Sequence, residues 1–189
     1  MQPFKVAIAG LGTVGAETAR IILTDGDMLS ARAGRPIELK AVSARDRSRD
    51  RGIDLAGVDW VDDAAALAGR DDIDCVLELI GGSEGVAYDL VLGAVKSGKS
   101  VVTANKALIA HHGSEIAKYC EEGDVGLGFE AAVAGGIPII KSLREGLAGN
   151  HIKRVYGILN GTCNYIMSVM RETGRSFEDV LADAQRLGY

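Results

Sequence analysis

The stretch Phe4 to Gly15, FKVAIAGLGTVG, constrains this chain more than any other. Phe4 to Ala9 is a short apolar run with β-branched residues. It leads directly into Gly10-Leu11-Gly12-Thr13-Val14-Gly15, after which Val14, Thr18, Ile21 and Ile22 recur at helical spacing. The order is strand, tight glycine turn, helix. Gly10 permits the sharp turn, Gly12 leaves room for a diphosphate to approach the backbone, and Gly15 lets the helix pack close to the strand. An anion held there meets unpaired N–H groups and the positive end of a helix dipole, worth roughly 0.3–2 kcal/mol. The glycine pattern alone is a weak signal and also fits a purely structural turn. With a strand before it and a helix after it, it points to dinucleotide binding.

The rest of the chain supplies the sheet that such a turn needs. Thr24 to Pro36, with three glycine or proline breakers, reads as a polar loop, and Ile37 to Ser43 as the second strand. The end of that strand is where an acidic residue would accept a ribose 2′-hydroxyl or an arginine would pair with a 2′-phosphate. Ser43, Arg45 and Asp46 stand there, and the balance leans to NADP with NAD tolerated. Val58 to Gly69 reads as a brief strand and a short helix. Cys75 to Ile80 is a strand buried on both faces, in which Glu78 requires a partner or a place near the strand end. Ala87, Leu90, Val91, Ala94 and Val95 mark an amphipathic helix closed by Gly98. Ser100 to Ala104 is the next strand and delivers Asn105 and Lys106 at its end. Ile116 and Cys120 lie on a further helix, and Val125 to Glu130 is the last strand of this half.

Repeated strand-then-helix order implies an α/β fold, a Rossmann-type doubly wound parallel sheet with helices on both faces. Ligands in such sheets lie beyond the carboxyl ends of the strands, so Gly10 to Gly15, Gly81 to Ser83, Asn105-Lys106 and Glu130 should converge on one crevice. The pattern changes after residue 130. Ala131 to Pro138 is rich in small residues, Ile139 to Leu147 is helical, Ile152 to Leu159 alternates like a strand, and Thr162 to Glu172 and Phe177 to Leu187 are helices. One strand and three helices cannot close a sheet. Residues 131–189 therefore read as the start of an α+β second domain following a nucleotide-binding domain at 1–130.

Composition narrows the partners. A net charge of -5, with the Arg45 to Arg51 basic run interleaved with Asp46 and Asp50, argues against a general nucleic-acid binder. Glycine breaks the first apolar stretch after a few residues, so no signal peptide or membrane span is expected, and the cytoplasm is the default location. Cys75, Cys120 and Cys163 are three widely spaced thiols with no metal or disulfide pattern, and Cys163 is read as packed. His111, His112 and His151 lack metal-ligand spacing and read as surface residues or as residues that support a site from behind.

Four longer motifs occur in order: Thr103-Ala104-Asn105-Lys106-Ala107-Leu108-Ile109; Glu130 through Pro138; Gly157 through Ile166, GILNGTCNYI; and a terminal Leu187-Gly188-Tyr189. On these the sequence resembles homoserine dehydrogenase along its whole length. The resemblance implies reduction of L-aspartate 4-semialdehyde to L-homoserine with NADPH or NADH, on the route to threonine and methionine, by a homodimer joined through the second domain. It implies that Gly10, Leu11, Gly12, Thr13, Val14 and Gly15 hold the cofactor, with Gly188 touching it from the second domain; Ser43, Arg45 and Gly81 join the cofactor set by their places at strand ends. Thr103 and Lys106 would face the nicotinamide, Lys106 adding positive charge for the developing alkoxide.

Glu130 and the carbonyls of Val133, Gly135 and Ile137 match the family's sodium site, and all-oxygen ligands suit a hard cation. As a bland alternative, Glu130 caps a helix or pairs with a lysine. Gly161, Thr162 and Tyr189 match substrate-lining positions, although Thr162 also reads as a helix N-cap. By itself Lys106 reads as a solvated lysine; its place after an apolar strand, inside a matched motif, gives it the site role. The family's principal acid–base lysine and the acidic residues that grip the substrate amine lie beyond the Leu-Gly-Tyr motif. The chain is therefore expected to be a fragment lacking part of the catalytic site. The alternatives are another amino-acid dehydrogenase and a non-catalytic NAD(P)-binding module.

Overall fold

A computed structural model describes residues 1–158 and 160–188. Packing divides the chain into two compact units, Met1–Gly146 and Leu147–Tyr189.

In the first unit six strands form one parallel sheet: β1 (Phe4–Ala9), β2 (Ile37–Ser43), β3 (Asp59–Trp60), β4 (Cys75–Glu78), β5 (Ser100–Thr103) and β6 (Leu127–Gly128). Their spatial order is β3-β2-β1-β4-β5-β6, every neighbouring pair parallel. The chain starts in the middle, builds outward to one edge, then returns to build the other, which leaves a crevice beside β1 at the carboxyl edge.

Alternation along β1 sorts side chains into two cores. Ala7 and Ala9 face one layer with Val76, Val101, Leu90, Leu108 and Ile116, while Val6 and Ile8 face the other with Leu39, Val42, Cys75 and Ala19. The first layer is covered by α3 (Val86–Lys96), α4 (Lys106–Glu122) and a 3₁₀ segment at Ala64–Gly69. The second carries α1 (Thr13–Thr24), buried at Gly15 and Ala19. Val14, one of the helically spaced apolar residues, is instead exposed at the start of α1, because its flank of the helix faces away from the sheet.

Several elements depart from the sequence expectation. Thr24 to Pro36 is mostly helix α2 (Gly26–Ala33) rather than loop. Its breakers stand at the ends, with Gly34 closing it at φ +71, while the interior is made of good helix formers. β4 stops at Glu78 instead of Ile80, because the Glu78 carboxylate draws the next amides into a turn. Residues 125–130 yield only the two-residue β6. Gly126 and Gly128 offer no side chain to pack, and β5 is its one sheet neighbour. The helical stretch expected from Ile139 to Leu147 is α5 (Ile139–Lys141), which widens into a π turn over Ser142–Gly146.

The second unit is a helix pair, α6 (Gly161–Thr173) and α7 (Phe177–Leu187), closed over Ile166, Val180 and Ala184. The strand expected from Ile152 to Leu159 is not formed over 152–158, which have no regular secondary structure, and Tyr156 is 89% exposed. A strand needs a neighbour for its N–H and C=O groups, and among the described residues of this unit none is supplied. Leu159, at the end of the expected strand, lies outside the described residues.

Candidate functional site

The glycine turn divides its labour among three positions. At Gly10, with φ +97, a Cβ would lie 2.5 Å from the Leu79 carbonyl oxygen, so both conformation and space require glycine. At Gly15 a Cβ would meet the Gly10 carbonyl oxygen at 1.8 Å, so α1 could not approach the turn. At Gly12 a Cβ would touch nothing within 4 Å, and the backbone there is ordinary. Gly10 and Gly15 are therefore explained by the chain itself, whereas the bare flank of Gly12 faces open space. The first turn of α1 has no acidic residue and no side-chain cap, which leaves its N–H groups for an outside partner.

This turn forms one wall of a cleft of about 450 Å³ at the carboxyl edge of β1, β2 and β4. Gly10, Leu11, Gly12, Ser43 and Arg45, all named from the sequence, line it. Ser43 is nearly buried, and its carbonyl accepts the Gly10 N–H at 2.8 Å, tying the end of β2 to the turn. Arg45 and Arg49 reach the cleft with no carboxylate partner among the described residues. Asp46, also in the wall, accepts from both the amide and the hydroxyl of Ser48 at 2.9 and 2.7 Å. Those bonds hold its carboxyl below the usual carboxylate range. Arg49, Arg51, Asp63 and Ile80 also line the cleft. The basic run at 45 to 51 was the sequence signal for the two arginines, while nothing local marked Asp63 or Ile80.

Thr13, Val14, Gly15, Gly81, Thr103 and Lys106 do not line this cleft. Gly81, Thr103 and Lys106 belong to a second assembly, at the ends of β4 and β5, organised by Glu78. This residue has no exposed surface, and its partners resolve the awkwardness seen in the sequence. One carboxylate oxygen accepts the amides of Ile80 and Gly81 at 2.8 and 3.0 Å, and the other accepts the Thr103 hydroxyl at 2.6 Å. Thr103 Oγ1 in turn accepts the Asn105 amide at 2.9 Å. Asn105 donates from Nδ2 to the Gly82 carbonyl at 2.5 Å and caps α4 by accepting the Leu108 amide. Thr103 is fully buried, and its hydroxyl is engaged with Glu78 and Asn105. Lys106 is exposed as the first residue of α4, immediately after the capping Asn105.

The expected cation ligands do not form an open cage. Both Glu130 oxygens accept backbone amides, from Ile140 at 3.0 Å and Lys141 at 2.9 Å, so the carboxylate caps α5. The Val133 and Ile137 carbonyls accept from Gly136 and Ile139, and Gly135 sits at φ +61 in the turn between them. The Glu130 carboxylate and the Val133 and Ile137 carbonyls are thus each engaged within the chain, with one hydrogen bond per oxygen. Among the described residues no cluster of three His, Cys, Asp or Glu is poised for a metal. His112 is bonded to Glu84 at 2.9 Å.

In the second unit, Gly161 and Thr162 occupy the first turn of α6. Its cap is Asn160, which accepts the Cys163 amide at 2.8 Å, rather than Thr162. An amide side chain one residue before the helix reaches that donor without strain. Cys163 is exposed rather than packed, because the buried face of α6 centres on Ile166. Gly188 closes α7 at φ +83, and Tyr189 lies outside the described residues. No helix among the described residues is long and apolar enough to cross a membrane.

A parallel sheet in this order, with a glycine turn after its first strand and a cleft at the switch in strand order, defines a Rossmann-type dinucleotide-binding domain. The family model described as the NAD-binding domain of homoserine dehydrogenase matches residues 10–130, and one described as homoserine dehydrogenase matches residues 138–189. The chain belongs to the homoserine dehydrogenase family. It is 51% identical over 189 residues to the homoserine dehydrogenase of Pseudomonas aeruginosa and 48% identical to that of Neisseria gonorrhoeae, covering all of this chain and 43% of each relative. Among solved structures, a homoserine dehydrogenase from Thiobacillus denitrificans superposes with TM-score 0.83 at 45% identity, over 100% of this chain and 43% of that one. A hyperthermophilic archaeal homoserine dehydrogenase in complex with NADPH superposes with TM-score 0.76 at 26% identity, over 99% of this chain and 62% of that one. The chain thus spans under half the length of the curated relatives it matches.

Proposed function

We propose that this chain is the cofactor-binding portion of a homoserine dehydrogenase, which reduces L-aspartate 4-semialdehyde to L-homoserine in threonine and methionine biosynthesis. Residues 1–130 are its nucleotide-binding domain, and 131–189 open a domain for substrate binding and dimerisation. The enzyme acts in the cytoplasm as a homodimer. The observation that carries the reading is the open flank of Gly12 beside uncapped N–H groups at the carboxyl edge of the sheet.

When bound, NAD(P)H supplies the hydride that reduces the aldehyde carbon. The chain's own residues bind and orient. The turn from Gly10 to Gly15 receives the diphosphate, and the Glu78–Thr103–Asn105 network holds the Gly81–Gly82 loop and the start of α4 at fixed separation. Lys106, at the first turn of α4, offers positive charge toward the alkoxide that develops on the substrate. Gly161 and Thr162 line the substrate and Gly188 touches the cofactor. The unpaired guanidinium of Arg45 supports NADP over NAD, its planar fork matching a 2′-phosphate. Sodium at Glu130 stays an implication of the family resemblance, and no step depends on it.

Titrating the chain with NADPH and NADH tests the reading. Binding of both, NADPH more tightly, is the expected result; binding of neither would remove it. Turnover of aspartate semialdehyde is expected when the chain is extended past Tyr189 to the length of its relatives, and an extended protein that binds nucleotide without turnover would instead be a binding module.

A further inference from the structure

Arg51 lies in the connection between β2 and β3, forty residues from the glycine turn, yet its guanidinium returns to it. Nε donates to the Leu11 carbonyl at 3.1 Å, Nη1 to the Arg49 carbonyl at 2.7 Å, and Nη2 to the Asp46 carbonyl at 2.6 Å. The guanidinium also lies over the Trp60 ring, 5.4 Å from its centroid, and Trp60 is placed by pairing of β3 with Val42 of β2. The planar group is thus held on one face by an aromatic ring and along its edge by three carbonyls. Among the described residues it forms no ion pair within hydrogen-bond distance; peptide carbonyls take its donors, and its charge also acts on the nearby Asp46 carboxylate.

The bond to Leu11 has a consequence for its neighbour. In a trans peptide the C=O and the following N–H point in opposite directions, and among the described residues no peptide is cis. Anchoring the Leu11 carbonyl against Arg51 therefore sets the direction of the Gly12 N–H, at the position whose missing side chain leaves the approach open. A charged donor on the carbonyl also polarises the amide and makes its N–H a stronger donor.

Resting on the reading of the cleft as a dinucleotide site, we propose that Arg51 is a positioning residue for the diphosphate: it orients and polarises the Leu11–Gly12 peptide from behind. Direct reading of a 2′-phosphate falls to Arg45 and Arg49, whose guanidiniums have no carboxylate partner among the described residues, whereas three of the five N–H donors of Arg51, one on each nitrogen, are committed to carbonyls. The same fork ties the arginine-bearing loop to the turn, so the two ends of the adenosine diphosphate are gripped by parts held in mutual register. A lysine, with one nitrogen, cannot reach three carbonyls in this geometry.

The test uses the 189-residue chain and its Arg51→Met and Arg51→Lys variants, titrated with NADH, which lacks the 2′-phosphate and so reports on the diphosphate grip. Both variants should bind NADH about tenfold more weakly, the size expected from losing one charge-assisted hydrogen bond. In ¹⁵N-labelled protein the Gly12 amide proton should move upfield, a signature that a role confined to stability would not produce. Unchanged NADH affinity in a folded variant would overturn the proposal. Should Arg51→Met fail to fold, Arg51→Lys and the wild-type chain still decide. The wild-type Arg51 Nε–H should exchange with water more slowly than that of Arg45, and equal exchange would overturn the proposal. A wild-type chain that binds neither NADH nor NADPH removes the nucleotide reading and Arg51's role with it. Wild-type binding with unaltered variants removes Arg51's role alone.

Discussion

Replacing Glu78 by glutamine should destabilise the first unit even though the shape is kept. The carboxylate accepts three hydrogen bonds in a site with no exposed surface: the amides of Ile80 and Gly81 and the hydroxyl of Thr103. Glutamine can keep its oxygen toward the two amides, but those bonds lose their charge, a loss of about 1 kcal/mol each. Its NH₂ then faces Thr103 Oγ1, which already accepts from Asn105, and the threonine proton is left without an acceptor. That orphan adds roughly 1–3 kcal/mol. Opposing these losses is relief from burying a charge, several kcal/mol for an isolated ion but largely offset here by the three donors. The net expectation is destabilisation by about 2 kcal/mol, or a melting temperature lower by about 4–8 °C for a protein of this size. Trp60, the chain's one tryptophan, lies in the first unit, so its fluorescence in a guanidinium titration reports on that unit. A Glu78→Gln variant as stable as wild type, or more so, would show that desolvation dominates and would refute the argument.

Gly12→Val should leave the fold within about 1 kcal/mol of wild type, because its Cβ enters empty space at an N-cap, while abolishing NADPH binding; retained binding in a fluorescence titration would sink the assignment. Arg45→Ala should weaken NADPH more than NADH, and equal losses in parallel titrations would remove it as the phosphate reader. In the native chain only the exposed Cys163 should react rapidly with a thiol reagent, and all three cysteines should react after unfolding. Burial pushes the Cys75 thiol from 9.0 up to about 12, so the folded state retains a proton that the unfolded state releases. Its contribution to stability is complete below pH 9 and is lost as pH rises toward 12, visible as a falling denaturation midpoint in alkaline buffers.

The sequence by itself determined the parts of this protein governed by neighbours along the chain. Period-two and period-3.6 patterns marked β1, β2, α3, α4, α6 and α7, and the spacing of Gly10, Gly12 and Gly15 marked the turn and the edge of the sheet at which a ligand would lie. Helix α2 is not legible in the pattern because its glycines, which look like breakers, stand at its ends. What only the tertiary structure decided were the partners of charged groups, since a guanidinium or carboxylate is satisfied by whatever the fold brings within about 3 Å. Glu78 finds Thr103 across two strands, Arg51 finds the Leu11 carbonyl forty residues away, and Glu130 turns to the amides of α5. The alternation at 152–158 was legible too, yet it is not a strand among the described residues: a hydrophobic pattern can specify a face, but only a hydrogen-bonded neighbour makes that segment a strand.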